Sequence, residues 1–457
     1  MYRNLTTILA LILLCAVYAC EEAVEKERDR PDRTERQELR MEEILKKGVI
    51  YEVNIRQYTP EGTFDAFTTG HLERLGDMGV DIIWLMPIHP IGEKNRKGEL
   101  GSYYSVKDYK GVNPEFGTEE DLRALINKAH ELDMIVVLDW VPNHTSWDAV
   151  WTESHPEFYV TDNGEFIYPR DTDWTDVIQL DYDNQEMRDS MIAAMKYWLK
   201  EFDIDGFRCD VAGYVPNDFW EQAIPDLRAV KPVFMLAEWE DPDHHKVGFD
   251  MSYAWELHSL MNELARMEAG KTQLLEYWEK ETEIFPVDAI RMVFIDNHDE
   301  NSWNGTIEER MGPNADAMAV FSFTFPGMPL IYTGQEAALD FRLPFFEKSE
   351  VPWRDYSKQE FYTALVDLKK DHPALWNAHN GGEPVFFEQD EQLMAWLREV
   401  EDSKVLTLVN LSDEAASFSL PVDFGEAEEY FSGETKTLEA QDIVEIESHG
   451  YRVFIGK

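Results

Sequence analysis

Eight short apolar runs, most of them joined through helix-periodic stretches, predict an α/β chain. Its core is a closed (β/α)8 TIM barrel, with a small insertion lobe after strand 3 and a C-terminal all-β sandwich domain. Three observations carry this. Strand-like and helix-like patterns alternate from Gly48 onward. The alternation breaks once, after His144, in a stretch rich in Trp, Asp, Pro and Gly. Beyond about Pro373 it gives way to short strands separated by turn residues. No glycine-rich phosphate fingerprint follows the first strand, which weighs against an open dinucleotide-binding sheet.

Taken in order, residues 1–19 read as an export signal. Arg3 supplies the positive start, and Ile8 to Val17 is an apolar run too short to span a membrane, which takes ~20 residues. The end, Val17-Tyr18-Ala19-Cys20, resembles a bacterial lipobox, which implies lipidation of Cys20; an ordinary cleaved signal peptide is the rival reading. The only other cysteines are Cys15, which leaves with the signal, and Cys209. A lipidated Cys20 leaves Cys209 without a partner, so no disulfide framework is expected. Residues 20–46 are dense in Glu, Arg and Asp and poor in large apolar side chains, which reads as a tether. A charged helix leading into Ile44 and Leu45 is the alternative.

The barrel is expected over 47–375, with the lobe at about 145–183. Its strands are read at Val49 to Val53, Asp81 to Met86, Met134 to Leu138, Ile204 to Phe207, Val233 to Leu236, Met251 to Ala254, Met292 to Ile295 and Leu330 to Thr333. Between them, Phe64, Phe67, Leu72 and Leu75 mark one helical stripe, and Leu122, Leu125, Ile126, Ala129 and Leu132 another. Thr118 and Asp121 have the spacing of a capping box. Met187, Met191, Met195 and Trp198 stripe a further helix. The C-terminal domain, 376–457, shows strands at Val385 to Phe387, Leu393 to Leu397, Val405 to Val409, Phe418 to Leu420 and Tyr451 to Ile455.

Composition narrows the partners. With 44% hydrophobic residues a globular body is expected. Lys+Arg number 42 against 90 Asp+Glu, a net charge of −48, which repels nucleic acid and anionic lipid head groups. A neutral substrate suits such a surface, and membrane association is expected only through the N-terminal lipid. The acidity reads either as solubility or as adaptation to high salt. A melting temperature that rises with NaCl marks the second; a flat response marks the first.

Chemistry concentrates where apolar runs end: DWVPNH at Asp139 to His144, GFRCDVA at Gly206 to Ala212, LAEWE at Leu236 to Glu240 and FIDNHD at Phe294 to Asp299. Barrel enzymes gather their sites from such strand ends. Asp210, Glu238 and Asp299 are carboxylates on three of these segments, and two carboxylates flanking one bond are what glycoside hydrolysis needs. Arg208 shares a strand face with Asp210 because strand side chains alternate, so its charge is expected to keep Asp210 ionised. His244-His245 is the only His-His pair, and it reads as a solvated loop rather than a metal site.

In this order the four segments, with GVDIIWLMP on the second strand and IYTGQE on the eighth, resemble the signature regions of the α-amylase family of retaining glycosidases. The resemblance implies hydrolysis of α-1,4-glucosidic bonds in starch-like glucans or maltooligosaccharides. Cyclomaltodextrinase, neopullulanase, α-glucosidase or transglycosylase specificity is the rival within the class. A non-catalytic glucan-binding surface lipoprotein is the rival outside it. By the resemblance, Asp210 is the nucleophile, Glu238 the general acid/base, and Asp299 the carboxylate that grips sugar hydroxyls. His144 and His298 bind the same sugar, and Tyr104, or Tyr103 one register away, stacks beneath it. Asp139 supports Arg208. No cofactor is required for the chemistry, but many members bind a structural calcium, and Asn143 matches one usual ligand. Gln179 stands where a carboxylate ligand is common, and Gly213-Tyr214 where a Lys-His pair is common; the first puts calcium in doubt, the second the leaving-group subsites.

Overall fold

In the computed structural model, residues 33–387 and 390–456 are described; the expected export signal and Cys20 lie outside them. Eight parallel strands close into a barrel: β1 (Ile50–Val53), β2 (Ile82–Leu85), β3 (Ile135–Trp140), β4 (Gly206–Cys209), β5 (Phe234–Ala237), β6 (Met251–Tyr253), β7 (Ile290–Phe294) and β8 (Met328–Tyr332). Each pairs with its chain neighbours, and β1 pairs with β8 to seal the ring. All eight fall on the expected runs. Parallel strands covered on both faces are mainly apolar, and every residue of β1, β2, β3, β4, β5 and β8 is buried, including the charged Glu52, Asp139 and Arg208.

The helical stripes are buried as expected, except that Leu132 falls just past its helix and is only partly buried. Phe67 and Leu72 are five positions apart, too far for one α-helical face, and a π turn over Thr68–Leu72 takes up the extra residue. Thr118 and Asp121 close the capping box from both sides. The lobe is tied at its base, where His144–Ser146 pairs antiparallel with Val177–Gln179.

The C-terminal domain stacks a six-stranded antiparallel sheet on a two-stranded one. Its strands are β9 (Val385–Phe386), β10 (Leu393–Val400), β11 (Ser403–Asn410), β12 (Ala416–Ser419), β13 (Gly425–Glu429), β14 (Glu434–Leu438), β15 (Ile443–Ile446) and β16 (Tyr451–Gly456). The large sheet runs β9-β10-β11-β16-β13-β14, and β12 pairs with β15. Leu406, Leu408, Phe418, Val444 and Phe454 share the core between them. Arg398 of β10 joins this domain to the barrel by donating to the carbonyls of Thr324 and Leu375, both at 3.3 Å.

Two expectations are corrected. The described part of the segment read as a tether is helical from Arg33 to Lys47, in line with the alternative of a charged helix leading into Ile44 and Leu45. Its Glu, Arg and Lys are good helix formers, and Glu35 in the first turn with Lys46 and Lys47 in the last oppose the helix dipole. From Glu43 onward it belongs to the barrel body: Ile44 is buried, and Lys46 lies over Trp376. His244-His245 is not a solvated loop. The pair sits in a helix, Pro242–Lys246, started by the Asp241 side chain accepting from the Asp243 N–H. His244 is buried and Nε2 of His245 meets the Ser252 hydroxyl at 2.9 Å, so the two rings serve packing.

Candidate active site

At the C-terminal ends of the strands lies a cavity of ≈ 580 Å³, lined among others by Tyr104, His144, Asp210, Glu238, His298 and Asp299. The three carboxylates, both histidines and the tyrosine singled out in the sequence therefore face one space, and Arg208 lies directly beneath it. Tyr103 does not take part; its hydroxyl turns to Asn54 at 3.0 Å and Arg56 covers its ring.

Strand register explains the charge cluster. Asp139 and Arg208 are register partners on β3 and β4, so their side chains leave the same face. Arg208 is fully buried and spends its fork on three carboxylates. Nη1 donates to Asp139 Oδ1 at 2.9 Å and to Asp210 Oδ1 at 3.1 Å, and Nε donates to the Tyr253 hydroxyl at 3.1 Å. Nη2 is 2.8 Å from Glu238 Oε1, but out of line for a hydrogen bond, so this contact is ionic rather than directional. Asp139 also accepts from Trp84 Nε1 at 3.2 Å and from the Tyr104 hydroxyl at 3.0 Å. Burial pushes its carboxyl up to about 6 against the pull of Arg208.

Asp210 and Glu238 form a coupled pair across that guanidinium. Burial, then the neighbouring Glu238, pushes Asp210 well above the carboxylate range, against Arg208. Burial also raises Glu238, with Arg208 pulling down and Asp299 pushing up. Arg208 lowers Asp210 as expected, but it is shared among three buried carboxylates whose desolvation works against it. Glu238 is oriented by its Oε2 accepting the Val211 N–H at 2.6 Å. Val211 follows Asp210 and sits at φ 39°, a left-handed conformation that a β-branched residue adopts only at a cost of ~1–3 kcal/mol. That turn aims its N–H at the acid.

The histidines differ. His144, buried and packed on Trp174 with ring centroids 5.4 Å apart, is pulled down to about 3 by burial and stays neutral. Burial lowers His298 too, but Asp299 and Glu52 outweigh it and hold it at about 9. As an imidazolium, His298 donates from Nδ1 to Glu52 Oε1 at 2.5 Å and from Nε2 to the Tyr104 oxygen at 2.7 Å, with Asp299 Oδ2 at 3.3 Å. Its nitrogens are engaged by protein groups, and the Tyr104 ring lies nearly parallel to it, 5.4 Å away.

Glu52 was not singled out in the sequence. Its signal was a lone acid inside the apolar first strand, where an ionised side chain is otherwise excluded. Trp174, Phe345 and Phe346, from loops, and Trp303, from a π turn over Glu300–Asn304, also line the cavity and carry no periodic signal.

The sequence matches the family described as "Alpha amylase, catalytic domain" over residues 57–176 and 168–390. It is 24% identical to "Alpha-amylase 3" of Dictyoglomus thermophilum over 86% of this chain and 90% of that protein. It is 28% identical to "Alpha-amylase MalA" of Haloarcula japonica over 82% of this chain and 57% of that protein. An alpha-amylase structure from Lactobacillus plantarum superposes with a TM-score of 0.82 at 29% identity, covering 90% of this chain and 99% of that one. The barrel, its carboxylate cluster and the family match define a glycoside hydrolase, and the chain belongs to the α-amylase family.

Proposed function

We propose that this chain hydrolyses α-1,4-glucosidic bonds of starch-like glucans or maltooligosaccharides by double displacement, with retention. The observation that carries the reading is the convergence of Asp210, Glu238 and Asp299 on one cavity, two of them on a single buried guanidinium. Asp210 attacks the anomeric carbon while Glu238 protonates the leaving oxygen; Glu238 then takes a proton from water as it displaces Asp210. Asp299 and His144 hold sugar hydroxyls, Arg208 and Asp139 fix the two reacting carboxyls, and Tyr104 with His298 forms the floor. Product chromatography on starch, maltotriose and a cyclodextrin tests this. Shorter linear products with the α-anomer formed first are expected, and preference for the cyclodextrin moves the assignment to cyclomaltodextrinase. No release from any of them returns the chain to the non-catalytic, glucan-binding reading.

Calcium is a poor fit to the residues present. Gln179 pairs in register with His144 rather than with Asn143, both candidates offer only amides, and among the described residues no three His, Cys, Asp or Glu converge as a metal site. Nearby carbonyls are already engaged: the Tyr109 hydroxyl donates to Val141 and His144, and that of Tyr182 to Pro142. Lys97 ties the lobe from the strand-2 loop instead, 3.3 Å from Asp176. EDTA is therefore expected to leave melting temperature and amylolytic rate unchanged, and a fall of several degrees restores the calcium.

Export with lipid attachment at Cys20 is proposed on the Val17-Tyr18-Ala19-Cys20 end of the apolar run. Among the described residues no helix is long and apolar enough to cross a membrane. A Cys20→Ala variant is expected to leave the membrane fraction of a bacterial host; unchanged fractionation refutes the anchor.

A further inference from the structure

We propose that a strap after β2, residues 92–101, closes the glycone side of the site, so that the enzyme works from the non-reducing end of an α-glucan and releases one short product of fixed length. The inference rests on the hydrolytic reading above and adds the direction from which the substrate enters. Glu238 follows the last residue of β5. The leaving oxygen takes its proton from Glu238, so the departing part of the glucan lies over β5. In a closed ring of eight strands, β1 lies opposite β5. The sugars on the other side of the scissile bond therefore run toward β1.

Over β1 the way is barred. The strap crosses from the lobe, which follows β3, to the loop after β8. On the lobe side, the Asp148 carboxylate accepts the Glu93 N–H at 3.1 Å. Lys97 donates to the Asp173 carbonyl at 2.8 Å and pairs with Asp176 at 3.3 Å. On the β8 side, the Leu100 N–H donates to the Phe346 carbonyl and the Glu99 N–H to Glu347 Oε1, both at 3.0 Å. Buried Arg56 holds the end of the strap by donating to the Gly101 and Leu100 carbonyls at 3.1 and 3.3 Å. Trp303, in the turn after β7, continues the rim, its ring centroid 5.9 Å from that of Phe346. Lys97, Asp176, Phe346 and Trp303 all line the cavity that holds Asp210 and Glu238, so this arc bounds the site itself. Two glycines let the strap lie so close. A Cβ on Gly92 would lie 2.1 Å from Ser146 Cβ in the lobe, and one on Gly98, at φ 67°, 2.4 Å from Phe346 Cβ.

A rim tied together from β3 round to β7 changes what can bind, not the chemistry. A glucan lying across an open groove is cut at internal bonds. Here the approach is left to the β4–β6 side, where Tyr214, after β4, stands 45% exposed. A chain entering there comes end first and stops when its non-reducing sugar meets the strap, and a longer glycone clashes with it. The distance from that stop to the two reacting carboxyls then sets the length of the product. A cavity of ≈ 580 Å³ agrees, being the size of a pocket for a small molecule rather than of a groove for a polymer.

Two maltoheptaosides test the strap, one with a free non-reducing end and one whose terminal 4- and 6-hydroxyls are tied in a cyclic acetal. The full chain is given each, and initial loss of substrate is followed by chromatography. The native chain is expected to consume the free substrate at least about tenfold faster, and to release a single short sugar from the first time points. Lys97→Ala unties the strap from the lobe, and Gly98→Val forces it off Phe346. Each is expected to lower the ratio of the two rates about threefold or more and to spread the product lengths. Total rate cancels from this ratio, so a partly unfolded variant does not mimic the effect. Equal consumption of both substrates by the native chain overturns the closed rim and leaves hydrolysis of α-1,4 bonds standing. A native chain that discriminates, with both variants keeping its ratio, overturns the strap as the barrier. Consumption of neither substrate overturns the hydrolytic reading itself.

Discussion

Asp210→Asn is expected to reduce glucan hydrolysis by about 10⁴-fold or more while leaving the fold intact and the chain slightly more stable at pH 7. The loss follows from the geometry. Asp210 is the carboxylate held from below by Arg208 Nη1 at 3.1 Å, and an amide there cannot form the covalent intermediate. No other side chain takes over, because Glu238 is committed to the Val211 N–H and Asp139 is fully buried beneath Arg208. The stability gain comes from linkage. Burial and Glu238 raise the Asp210 carboxyl, so the folded chain binds that proton more tightly than the unfolded chain. Its favourable contribution is complete below the unfolded value of about 3.9 and is lost as pH rises through the folded one. At pH 7 the native chain carries that loss and the asparagine variant does not. The melting-temperature advantage should therefore shrink toward pH 4. More than about 1% residual activity would sink the assignment of Asp210, whereas a variant less stable than the native chain at pH 7 would show that the Arg208 contact outweighs the desolvation of the carboxyl.

The same electrostatics marks where the sequence stopped being legible. All eight barrel strands could be read because a strand covered on both faces is apolar along its length, as Ile82–Leu85 is. In the C-terminal domain, β13, β14 and β15 went unread; β15 is four residues with two of them exposed. Gly-Glu-Ala-Glu-Glu and Glu-Thr-Lys-Thr-Leu bury only Ala427, Glu429 and Leu438 and look like loop. The carboxylates, Arg208 and the histidines were legible because each ends an apolar run. Trp174, Trp303, Phe345 and Phe346 were not, since aromatics in loops and single turns acquire a role only when the fold brings them to a common wall. Glu52 lies between: the pattern shows a lone acid in a core strand, but its partner His298 is 246 positions away. Net pKa direction was the least legible property. Alternation shows that Arg208 faces Asp210; it does not show that Asp139 and Glu238 share the same guanidinium.

Glu238→Gln is expected to separate the two halves of the reaction. Starch hydrolysis should fall by about 10²–10⁴-fold, the usual worth of a positioned general acid. An aryl maltoside whose phenolate departs without a proton should still glycosylate Asp210, giving a burst of phenolate followed by slow turnover, because the second step also needs Glu238 as base. The glutamine oxygen can keep the Val211 N–H bond, so the loss reports proton transfer rather than collapse of the turn. The pH profile gives an independent sign. Burial and Asp299 raise Glu238 against the pull of Arg208, so the native rate should decline on the alkaline side as that proton leaves, at a higher pH than for an ordinary carboxyl. In the glutamine variant the burst with the aryl substrate should lose that alkaline decline, since no proton remains to be lost. Equal losses on starch and on the aryl maltoside burst, or an alkaline limb that persists in the variant, would mean that the proton comes from elsewhere. Asp299, which shares the cavity wall with Asp210 and Glu238, would then be the residue to test.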